Sequence, residues 1–214
     1  MQGMGSYAAV SRVVPRPPLW ERSGGFGMAG GVDVGRLKAQ QLETLSMFRQ
    51  CARSDWSSLH HHHFDWWMFP IDDGSMPEFN LRGEEDVQAL KGDPEWLDRY
   101  RESVRLAAAA WGWDLERCCR VPQPQPGQSW THWDVRLAKM CRSTFLLEEP
   151  ELLASLQAFA RDLQANEKRG ESFFYGGICL DELLYFTLPR RGGGDRPGGA
   201  GPGRAGAAPA GLGP

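Results

Sequence analysis

The stretch that most constrains this chain is His60-His61-His62-His63-Phe64-Asp65-Trp66-Trp67-Met68-Phe69-Pro70, residues 60–70. Read as a helix capped by Asp55, whose short carboxylate can accept an orphan amide proton of the first turn, it places Trp56, Leu59, His63, Trp66 and Trp67 on one side. Phe64 and Met68 fall on another side. A helix with apolar bulk on most of its circumference must be covered by other elements. Pro70 closes it, because proline lacks an amide proton and clashes with the preceding turn.

Helical periods on both sides supply that cover. Over residues 34–53, Leu37, Gln41, Leu45 and Phe48 share a face, with Val34, Leu42 and Cys51 at its edge. Acids at the start and Lys91 at the end mark a short helix over 84–91, stopped by Gly92. Asp93-Pro94-Glu95 restarts the chain: an acid at the N-cap, a proline at the first helical position and an acid in the first turn. The helix that follows carries a stripe from Trp96 to Trp111 and stops at Gly112. Pro122, Pro124, Pro126 and Gly127 form an extended connector. Thr131 and Asp134 read as a capping box for a helix through Phe145. Glu149-Pro150-Glu151 opens another, ended by Gly170, and a short last helix is expected within 178–188, closed by Pro189. These periods predict an all-α fold, an irregular helical bundle of about six helices over residues 34–188.

Composition sets the boundaries of that domain. Prolines and glycines crowd residues 1–33 and 189–214, which cannot bury enough apolar area to offset chain entropy and are expected to be disordered. Eight of the nine tryptophans lie between Trp56 and Trp133, so large aromatic area is concentrated in the middle. Residues 34–188 hold 17 Lys and Arg against 24 Asp and Glu. Such an acidic core argues against nucleic acid as a partner. No apolar run reaches membrane-spanning length, so no membrane partner is expected. Five irregularly spaced cysteines without a CxxC pair read as reduced thiols of an intracellular chain, cytosolic or nuclear. The first 20 residues carry Arg12 and Arg16 and no acid, which leaves organelle import open.

Few residues carry chemistry. His60 and His63 could share a helix face, but a metal site needs three or four ligands and His132 is the only other histidine, so no metal or cofactor is expected. Cys118-Cys119, between Arg117 and Arg120, lacks a Cys/His signature, and neither GxSxG, GxGxxG nor a P-loop occurs, so no catalytic residue is assigned. The aromatic pair Trp66-Trp67, and Trp130 with His132 near a helix start, are the candidate binding residues, set against their alternative use as core.

From the histidines to about residue 163, the order of features resembles the conserved domain of the opioid growth factor receptor family. That family has a histidine, an aromatic two residues on, then Trp-Leu-Phe-Pro, matched by His62, Phe64, Trp67, Met68, Phe69 and Pro70. Its Phe-Asn turn, acidic helix, Asp-Pro start and aromatic-Gly stop correspond to Phe79-Asn80, 84–91, Asp93-Pro94 and Trp111-Gly112. His132-Trp133 and Arg136 follow where the family opens an Arg-rich helix. Asp65-Trp66 replaces the family's Ile-Gln, and the long repeats of the animal receptor are absent. The resemblance implies an all-helical intracellular domain, makes Trp67 a core anchor beneath Phe69-Pro70, and transfers no catalytic or ligand residue.

The expected function is therefore non-enzymatic: a protein- or peptide-binding domain whose groove lies near Trp66, Trp67, Trp130 and His132. An enzyme with a pocket around the histidine run and Asp65, and a structural subunit of a complex, are the alternatives. Residues 190–214 contain Leu212 as their one large aliphatic residue. Deleting them should leave the melting temperature unchanged in a thermal-unfolding comparison with the full chain; a fall of several degrees would mean that the tail docks.

Overall fold

The computed structural model describes Pro18 and residues 32–185. Eight α-helices account for most of them: α1 (Val34–Ser54), α2 (Trp56–His60), α3 (Asp65–Met68), α4 (Glu84–Lys91), α5 (Pro94–Ala110), α6 (Asp134–Leu146), α7 (Pro150–Asn166) and α8 (Asp181–Leu184). A 3-10 turn spans Pro77–Phe79. Two antiparallel pairs of two-residue strands complete the fold: β1 (Trp113–Asp114) with β2 (Cys119–Arg120), and β3 (Phe174–Tyr175) with β4 (Ile178–Cys179). The described residues are predominantly helical, as their periods predict. Three of the eight helices have five residues or fewer, which is why the sequence counts about six.

Several punctuation marks act as read. Asp55 and Asp93 cap α2 and α5, accepting from the amides of Ser57 and Trp96, both at 3.0 Å; Asp33, which was not read as a cap, does the same for α1, accepting from the Arg36 amide at 2.9 Å. Gly112 follows α5 at φ 78°, the left-handed backbone that ends a helix most easily at glycine. On α1, Leu37, Gln41, Leu45 and Phe48 are buried, together with Thr44 and Cys51. One hydrophobic core runs from Val32 to Leu184, so the folded part starts two residues before the expected boundary at Val34. The expected disordered leader over 1–31 (Pro18 aside) and the tail over 189–214, with Pro189, lie outside the described residues.

Four expectations need correction. The helix through the histidines is two short helices, α2 and α3, separated by residues 61–64. In a continuous helix the carbonyls of His60 and His62 would accept from amides four residues on. Here the buried Arg136 guanidinium donates to both, at 3.5 and 2.8 Å. The Thr131–Asp134 capping box does not form: α6 starts without a side-chain cap, and Asp134 Oδ2 instead accepts from Lys168 Nζ at 2.8 Å and Phe174 N at 3.2 Å. Residues 178–179 belong to the β3–β4 hairpin, not to the last helix, which covers only Asp181–Leu184. The fourth is the β1–β2 hairpin, which precedes the proline connector and has no alternating sequence pattern to announce it.

Gly127 in the connector is required by contact. At φ 84°, a Cβ there would sit 2.5 Å from the backbone nitrogen of Ser57. The connector can therefore press against the start of α2, where the Gly127 carbonyl lies 3.0 Å from His60 Nε2.

Candidate functional site

The break between α2 and α3 creates the site. One imidazole, His60, turns inward and is buried, while His61, His62 and His63 are exposed. After the turn, Phe64 enters the core edge-on to Phe48 at 4.7 Å between ring centroids. Asp65 is buried beneath it, 2.5 Å from Lys139 Nζ and 3.4 Å from Arg136 Nε. Asp72, further on, takes a two-toothed contact from Arg142 at 2.9 and 2.5 Å.

Trp66 and Trp67 are partly buried, packed against the core from the outer side of this turn. Their ring centroids are 6.1 Å apart, and His63 stacks on Trp66 at 5.8 Å with an interplanar angle of 26°. Each indole is fixed at its far edge: Trp66 Nε1 donates to Ser75 Oγ at 2.9 Å and Trp67 Nε1 to Thr44 Oγ1 at 2.8 Å. Lys139 Nζ lies 5.2 Å from the Trp66 ring centre. Trp67 also leans on Phe79, at 5.5 Å. Its neighbours Met68 and Phe69 are the fully buried anchors of this segment, at 1% and 0% exposure, while Trp67 is partly buried and packs against the core from its edge.

Beside Trp67 a groove of about 250 Å³ runs between α1 and the turn, with Met47, Phe64 and Trp67 as apolar walls and Glu43, His62 and His63 among its polar ones. The sequence reading did not find Met47, Thr44 or Glu43, because the groove exists only where the helix breaks. Thr44, one turn from Gln41 on the face of α1 turned to the core, was the available signal.

Trp130 and His132 form a separate locale. Trp130 is buried at 7% exposure, edge-on to Trp111 at 5.2 Å and to Phe159 at 5.7 Å. His132 is exposed, with φ 59°, and its ring lies 6.5 Å from that of Trp130. Trp130 lines a second concavity of about 200 Å³ with Trp111, Arg120 and Glu167. Its indole nitrogen and that of Trp111 reach no nitrogen or oxygen acceptor, and both atoms are sealed from solvent. None of the described concavities is lined by members of both pairs, so the four expected binding residues make two places rather than one groove.

Among the described residues no group of three or more His, Cys, Asp and Glu is arranged to hold a metal ion. No described helix is long and apolar enough to cross a membrane. Searches against protein-family models, curated proteins and solved structures return no match.

His60 gives the site a titration. With Nε2 set against a carbonyl, that nitrogen carries the proton and donates, and Nδ1 is a buried acceptor without a partner. Protonating Nδ1 would bury a second charge beside Arg136. Burial first, and the Arg136 charge after it, push the His60 pKa down, against the Gly127 contact that raises it. The unfolded imidazole binds a proton below about pH 6.5, whereas the folded one resists it. Stability is therefore complete above that pH and is lost as the pH falls towards the lowered folded value. His60→Gln keeps a donor and removes the titration. Urea unfolding between pH 7 and 5 should show wild type losing up to about 1.4 kcal/mol per pH unit more than the variant; equal slopes would contradict this.

Proposed function

We propose that this chain is a non-enzymatic protein- or peptide-binding domain. The observation that carries the proposal is the row His63–Trp66–Trp67: three part-exposed rings side by side, each indole held by a hydrogen bond at its far edge. Rigid aromatic rings supply contact area at small entropic cost, and tryptophan dominates the energetics of many interfaces. The adjoining groove, at about 250 Å³, falls below the roughly 300–1,000 Å³ of pockets that enclose a small molecule. It suits one side chain of a peptide. Exposed Glu43 on its wall, within a domain of net negative charge, favours a lysine or arginine next to that apolar anchor.

The enzymatic alternative places Asp65 in a pocket with the histidines. Asp65 is instead buried against Lys139 and Arg136, and the groove of His62 and His63 does not include it. The polar groups that such a mechanism would use do not converge.

A random peptide library displayed on phage and selected against the full chain tests the reading. The selected peptides should pair a large apolar residue with Lys or Arg. Trp66→Ala and Glu43→Lys, the latter at an exposed position that does not endanger the fold, should each weaken them by about tenfold or more. Selection of no consensus, or peptides indifferent to both substitutions, would overturn it.

A further inference from the structure

The β1–β2 hairpin carries the one pair of adjacent thiols in the chain, Cys118-Cys119, and the proposed binding function makes no use of it. All five cysteines are free, but they differ in access. Cys51 and Cys141 are buried, and burial pushes both of those thiols up, away from reactivity. Cys179 is exposed at the far hairpin. Cys118 is exposed and Cys119 is half-buried, so a small reagent can reach them together.

The backbone decides whether two neighbouring thiols can act as a unit. In a regular strand successive Cβ atoms point to opposite faces, which keeps adjacent sulfurs apart. Cys119 is in β2, opposite Asp114, but Cys118 lies outside the strand at φ 51°. At that left-handed residue the backbone is not extended, so the strict alternation of a strand does not hold across the pair. The surroundings hold the turn in place. Asp114 Oδ1 accepts from the amides of Glu116 and Arg117, both at 3.0 Å. Arg120, the next residue after the pair, is tied to Asp162 at 2.6 Å and Glu167 at 2.7 Å on the α7 side.

We propose that Cys118 and Cys119 form a dithiol modification site, oxidised by a hydroperoxide to an intramolecular disulfide and restored by a low-molecular-weight thiol. One thiol attacks the peroxide oxygen, giving a sulfenic acid and releasing an alcohol, or water when the oxidant is hydrogen peroxide. The neighbouring thiol then displaces the sulfenic oxygen as water and the S–S bond forms; two sulfurs are oxidised as one peroxide is reduced. Neighbouring Cα atoms are about 3.8 Å apart, closer than the roughly 4.4–6.8 Å of ordinary disulfides. The ring is consequently tight and readily reopened by thiol exchange.

The test treats the full chain, and its Cys179→Ser variant, with equimolar hydrogen peroxide and maps the thiols by mass spectrometry. The expected product is a 118–120 segment lighter by two hydrogens, closed within one chain, formed equally in both proteins and reversed by dithiothreitol. A second arm uses phenylarsine oxide, which grips paired thiols far more firmly than single ones: one arsenical should be retained per chain, and lost in Cys118→Ser and in Cys119→Ser. Sulfinic or sulfonic acids at Cys118 or Cys119, bridges between chains, bridges to Cys179, or arsenical retention indifferent to both serine substitutions would overturn the proposal.

Discussion

Three buried cations on one helix organise this molecule. Arg136, Lys139 and Arg142 stand three residues apart on α6, at 1%, 7% and 3% exposure. All three are directed at a single segment of chain, residues 60–72, through two carbonyls and the carboxylates of Asp65 and Asp72. Desolvating a charge costs several kcal/mol, so such a row persists only where geometry and hydrogen bonds restore the loss. Arg136 meets that demand from several sides: the two carbonyls, Asp65, and the ring faces of Phe64 at 4.6 Å and Trp133 at 3.9 Å. Burial still lowers its pKa against the pull of Asp65. The consequence is local. The histidine stretch turns where its carbonyls meet α6, and Trp66 and Trp67 pack partly buried on the outer side of that turn.

This explains which parts of the fold were legible in the sequence. Elements whose ends are written in short-range chemistry are readable: Asp93-Pro94 opens α5 and Gly112 ends it, because capping and left-handed glycine act within a few residues. The face of α1 is readable as well, since a 3.6-residue period directs Leu37, Leu45 and Phe48 to the core. The break at residues 61–64 is not. Its cause is Arg136, more than 70 residues away, and a hydrophobic period says nothing of a carbonyl drawn off by a distant guanidinium. For the same reason the capping box failed, as Asp134 serves Lys168 and the Phe174 amide across a loop.

The candidate site was half legible. Trp66 and Trp67 were singled out in the sequence with two uses weighed, ring platform or core; the fold leaves both partly buried against the core. The Trp130 and His132 pair came from the same reasoning and lies elsewhere, because nothing in a sequence fixes which helix start faces which groove. The groove wall from α1 was invisible until the turn displaced the rings towards it. Recognition through Trp66 and Trp67 therefore depends, in this account, on a salt-bridge row on the inner side of the same segment. The proposed binding surface and the buried charge are two sides of one turn.

The row is the claim to test most directly, by chemical denaturation of Arg136→Met beside Arg49→Met. Arg49 makes a two-toothed contact with Glu102 at 2.7 and 2.6 Å, shorter than the 3.4 Å of Arg136 to Asp65, but the two side chains are 41% and 37% exposed. Removing one partner of a buried ionic group should cost about 3–5 kcal/mol, whereas an exposed pair is worth about 0–1 kcal/mol. The account predicts that contrast, with amide exchange accelerated across residues 60–68 in Arg136→Met. Equal, small losses for both substitutions, with the turn still protected, would contradict it.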